Sequence, residues 1–174
     1  AMKGVIYVYH INELVSYGIH GVCKIQEIIQ KNFDGKTTDY YVLKPLYDTS
    51  STVFVPVHNE KLKTKMRLVL SQEEIGTLLA DFPREEIEWS CNNHYRHEQW
   101  SEILSNASPV ELMRMVHCLL HQKSFLAEQH KKLQDADERA LKTAESLIDN
   151  EFALVLHMQP DEVLPYIRSK TLTA

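Results

Sequence analysis

The chain has 174 residues, 44% of them hydrophobic and 25% charged, which is enough apolar content to fill a core in one domain or two small ones and too much for general disorder. No apolar run reaches the roughly 18 residues of a membrane helix, and no charged-then-apolar leader opens the sequence. The expectation is therefore a cytoplasmic protein with no membrane partner, and Ala1 ahead of Met2 carries no functional weight. Cys23, Cys91 and Cys118 are an odd, scattered set that suits a reducing compartment better than a disulfide framework.

The net charge of −5 is unevenly spread. Residues 1–70 hold nine Lys/Arg against six Asp/Glu, and residues 71–174 hold ten against eighteen, so the two parts stand at +3 and −8. A chain built to bind nucleic acid by phosphate neutralisation alone is basic throughout. Any DNA contact here is expected to be local or assisted by a partner.

Up to about Leu70 the pattern is that of strands. Leu14–Tyr17, Val22–Ile25, Tyr40–Leu43 and Thr52–Val55 are short, β-branched and aromatic, with turn residues between them. Gly35 in Asn32-Phe33-Asp34-Gly35-Lys36 supplies the reversal of a tight hairpin, and Gly18 and Gly21 permit a corner closed to other residues. Pro56 ends pairing or marks a sheet edge. Five short strands of this kind are expected to curl into a small barrel.

At Ser71 the texture becomes helical. Ser71-Gln72-Glu73-Glu74 is a capping box ahead of Ile75, Leu78 and Leu79. After a break at Pro83, a second helix is predicted from about Ser90 to Ser105. A third has Ser108 as cap and Pro109 in its first turn, and buries Leu112, Met115, Val116, Leu119 and Leu120. A fourth, from about Gln134 to His157, presents Ala140, Leu141, Ala144, Leu147, Ile148, Phe152 and Val155 on one side. Gln159-Pro160 opens a short last helix through Val163, Leu164 and Ile167, while Glu128–Arg139 reads as a solvated connector and helix start.

Tyr17, His20 and Gly21 in the first corner, Gly35 in the hairpin, Tyr40-Tyr41-Val42-Leu43 and Val55-Pro56-Val57 together resemble the RNA-polymerase-interacting domain of the CarD/CdnL family of bacterial transcription regulators, a Tudor-like barrel shared with the transcription-repair coupling factor. Asn59, Arg67 and Ser71 look like that family's exit from barrel to helices, and Glu151-Phe152-Ala153-Leu154 resembles its late Glu-rich helix. The resemblance implies an α+β protein: an N-terminal Tudor-like β-barrel near residues 1–70, followed by an all-helical domain of about five helices over residues 71–174. It further implies a sheet edge that docks on the RNA polymerase β subunit and a helical domain that contacts promoter DNA. Lys31, Tyr41, Phe54 and Val55 become candidate docking residues, and Trp89 with Arg96 candidate DNA contacts. Phe54 stands where some members have Arg, so docking here leans on apolar contact. Trp89 departs in its surroundings, with Glu85, Glu86 and Glu88 before it and Cys91-Asn92-Asn93-His94 after it.

Other readings remain open from the residues themselves. Trp89 is either a wedge at opening DNA or part of a core, whereas Trp100 reads as packing. Cys91, His94 and His97 at intervals of three, with His117 and His121 four apart, admit a metal-dependent protein, although no third and fourth ligand is fixed by spacing. His20 reads as a turn residue bonded to backbone. No nucleophile with a recognisable partner, phosphate loop or acid pair is present, so neither an enzyme nor a cofactor is expected. A protein-interaction adaptor that never touches DNA is the remaining alternative.

Overall fold

The computed structural model describes residues 8–82 and 86–171; the Pro83 break, Glu85 and Ala1 lie outside them. The chain divides between Val69 and Leu70 into two units.

The first unit is an antiparallel sheet of five strands, β1 (Leu14–Tyr17), β2 (Val22–Phe33), β3 (Lys36–Pro45), β4 (Val53–Pro56) and β5 (Met66–Leu68), in the order β4-β3-β2-β1-β5. A one-turn helix, α1 (Glu60–Lys63), precedes β5, and the Asn59 side chain caps it by accepting from Leu62 N–H at 3.2 Å. The β2–β3 reversal is made by Asp34 (φ 50°) and Gly35 (φ 76°), two consecutive left-handed residues as a two-residue hairpin requires. Both strands run well beyond the apolar segments that signal them, because ladder bonds between Gln30 and Asp39 or Lys31 and Thr38 need no apolar side chains.

The expected barrel does not close. β4 pairs only with β3 and β5 only with β1, which leaves two short edges. With strands of four and three residues, the exposed backbone is already brief, and closure is not needed to limit it. One face of the sheet carries Val15, Ile25, Tyr41, Leu43, Val55 and Met66, all at most 4% exposed. Each contributes on the order of 1.5–3 kcal/mol of burial. In the corner, His20 lies in a 3-10 turn, and its ring stacks on Tyr17 at 5.8 Å.

The second unit has five helices, α2 (Gln72–Ala80), α3 (Asn93–Asn106), α4 (Pro109–Glu128), α5 (Asp135–Leu156) and α6 (Pro160–Thr171). The capping box forms: Glu74 N–H donates to Ser71 Oγ at 3.1 Å and Ser71 N–H to Glu74 Oε2 at 2.7 Å. Pro109 occupies the first turn of α4 behind Ser108, although the Ser108 side chain makes no cap bond. Ile75, Met115, Leu119, Leu141, Ala144, Phe152 and Val163, at most 1% exposed, form the core. Buried Glu151 fastens the start of this unit, accepting from Leu70 N–H at 3.1 Å.

Candidate functional site

At the β4 edge, Val57 N–H donates to Asp39 C=O at 2.9 Å. By antiparallel alternation Val55 and Val53 also turn their backbone groups toward β3, so Phe54 N–H and C=O face outward, while the Pro56 C=O accepts from Asn59 N–H at 3.3 Å. Phe54 remains 43% exposed, and Lys31 Nζ lies 3.8 Å from the centre of its ring. The ammonium thus sits on the aromatic face, an arrangement that is attractive even at the surface. Tyr41 and Val55 occupy the opposite face and are 0% exposed. Their side chains are core, and this corrects their candidacy as docking contacts: they hold the edge in shape while Phe54 and Lys31 present it.

In the helical unit, Arg96 is 2% exposed and does not face solvent or phosphate. Its Nε and one terminal nitrogen donate to Asp137 at 3.0 and 2.7 Å, its other terminal nitrogen donates to Ser90 C=O at 2.7 Å, and Asn93 Oδ1 accepts at 3.0 Å. Trp100 Nε1 donates to the same carboxylate at 3.0 Å. Trp89, half-buried against the helical core, lies under the guanidinium with 4.2 Å between group and ring centre. To enter a base step, Trp89 has to leave that stack. Arg96 is therefore corrected from a DNA contact to the clamp that holds the segment before α3. The physical reason is helical periodicity, since Arg96, Trp100 and Ile103 share the inward face of α3.

Asp137, read from sequence as part of a solvated stretch, is 1% exposed. Burial alone raises its pKa, but hydrogen bonds from Arg96 and Trp100 and the charges of Arg96 and His97 outweigh it and hold the carboxyl below its ordinary value. Its position was signalled by Ala140, Leu141 and Ala144, with which it shares one face of α5.

The metal alternative finds no ligand set: among the described residues no three His, Cys, Asp or Glu side chains gather as a metal group. His94 Nε2 lies 3.3 Å from Glu98, and His97 Nε2 lies 3.6 Å from Asp137. His117 and His121 line a cleft of about 720 Å³ that also receives Glu145 and Asp149 from α5. Burial, and then the neighbouring Glu145, push the Asp149 carboxyl up to about 6.

Residues 9–70 match the family described as the CarD-like/TRCF RID domain. The N-terminal unit is similar to that domain over nearly its whole length. Comparison with curated proteins gives no match. The matched span covers all five strands of the N-terminal unit and ends where the helical unit begins. Among the described residues no helix is long and apolar enough to cross a membrane.

Proposed function

We propose that this protein is a non-catalytic, cytoplasmic transcription regulator that docks on the β subunit of RNA polymerase through the β4 edge of its RID domain and modulates initiation. The observation that carries the reading is the outward-facing Phe54 backbone, flanked by the Lys31–Phe54 pair, on a unit that matches this family. A partner strand satisfies those backbone groups by β-augmentation, and the side chains beside them select it. In a pull-down with an isolated β-lobe fragment, Lys31→Glu combined with Phe54→Arg is expected to weaken binding at least tenfold, through lost apolar contact and reversed charge. Undiminished binding by this variant refutes the docking edge.

For the helical unit, one reading is that Trp89 reaches promoter DNA within the polymerase complex and stabilises the opened strands. The second, a polymerase-bound adaptor without DNA contact, is favoured by the −8 balance of residues 71–174 and by the burial of Arg96. Promoter-complex lifetime with Trp89→Ala separates them: a shortened lifetime supports DNA wedging, and an unchanged one supports the adaptor.

A further inference from the structure

The face of the N-terminal sheet opposite its core carries a row of cations and rings, most of which polymerase docking does not use. Register places Lys36, Thr38, Tyr40, Val42 and Lys44 of β3 on that face, with Lys24, Ile29, Lys31 and Phe33 of β2 as their cross-strand neighbours. Lys24 stands directly opposite Lys44, an uncompensated like-charge pair of the kind that destabilises a sheet. Among the described residues none of Lys24, Lys31, Lys36 and Lys44 makes an ion pair, and Glu27 is the single acid in the row. Phe33 is 60% exposed and meets Tyr40 edge-on at 6.5 Å, and Phe54 continues the row onto β4.

We propose that this face binds single-stranded nucleic acid, the lysines meeting phosphates and Phe33, Tyr40 and Phe54 meeting bases. Rings interleaved with ammonium groups that make no ion pair, on an open sheet, suit a strand whose charged backbone and flat bases alternate. An acidic protein segment satisfies the lysines but leaves the rings without a stacking partner. The inference goes beyond polymerase docking: it shares Lys31 and Phe54 with the docking edge, but Lys24, Lys36, Lys44, Phe33 and Tyr40 lie outside β4 and take no part there.

The test is fluorescence anisotropy of a labelled oligothymidylate of about 12 nucleotides with the full chain, titrated across salt concentrations. Four lysine–phosphate contacts predict a slope of log affinity against log salt of about −2.8, and Lys24→Gln with Lys44→Gln brings it to about −1.4. Phe33→Ala is expected to weaken binding about tenfold at unchanged slope, since it removes a base-stacking ring and no charge. Circular dichroism melting checks that each variant is folded, and the exposure of Phe33 and Lys24 favours that outcome. Absence of binding overturns the proposal. So does Phe33→Ala binding like wild type, or polyglutamate displacing the oligonucleotide at equal charge concentration, since either makes the face a general anion or acidic-protein surface. Retained β-lobe binding by the lysine variant keeps this result separate from the docking claim.

Discussion

Replacing Asp137 by Ala removes the acceptor of three buried hydrogen bonds, two from Arg96 and one from Trp100. The Arg96 guanidinium, 2% exposed, then retains only Ser90 C=O and Asn93 Oδ1 among these partners. Breaking one side of a buried ion pair costs about 3–5 kcal/mol, because the surviving charge stays desolvated. For a unit of roughly a hundred residues that corresponds to a melting temperature lower by about 12–20 °C. Tryptophan fluorescence is the natural assay, since the only two tryptophans of the chain, Trp89 and Trp100, both touch this cluster. Arg96→Met with Asp137→Leu, which removes both charges and keeps the volume, is expected to recover most of the loss. A loss below about 1 kcal/mol for Asp137→Ala refutes the argument that the pair clamps the segment before α3. The pH dependence follows the same logic. Because the folded pKa of Asp137 is depressed, its contribution is present above the unfolded value and disappears as pH falls through the folded one. Asp137→Asn should flatten the acid limb of a stability–pH profile.

Asp149 acts with the opposite sign. Its folded pKa, about 6, lies above the ordinary 3.8, so ionisation costs stability above pH 6 and the cost fades toward pH 4. Asp149→Asn is expected to stabilise by about 1 kcal/mol at pH 7.5, after discount for solvent screening, with the gain shrinking between pH 6 and pH 4 in urea titrations. Gly35→Ala meets no atom within 4 Å but must adopt φ +76°, so a loss of about 1 kcal/mol through strain alone is expected in the same measurement, and a neutral result contradicts the left-handed turn.

The parts of the fold that were legible in the sequence are those where one local rule dominates. Gly35 placed the hairpin, Ser71 and Glu74 opened α2, and the stripe from Ala140 to Phe152 marked α5. The full length of β2 was not legible, because Gln30, Lys31 and Asn32 carry no apolar signal and are ordered through pairing with residues up to nine positions further on. Barrel closure was equally out of reach, since it depends on whether β4 meets β5, which no local pattern encodes. At the candidate site, Phe54 was readable as an exposed apolar residue. Tyr41 and Val55 were not separable from it, because strand residues alternate faces and the choice of inward face rests on register. Arg96 and Asp137 were misread through charge alone. Each lies in the inward helical series of its neighbours, and a charged residue in such a series calls for an opposite charge elsewhere in the chain.

The brevity of β4 limits what that border can hold. Within the strand a guest chain finds Phe54 N–H and Phe54 C=O, two groups whose net yield is about 1 kcal/mol each, since the Pro56 C=O already accepts from Asn59 N–H. That falls short of the 4 kcal/mol or more that association costs in lost motion. Backbone pairing alone therefore gives a visitor with a short residence time, and copies of this protein gain little by stacking edge to edge. A lasting complex has to be secured by side chains, which leaves its lifetime adjustable one substitution at a time.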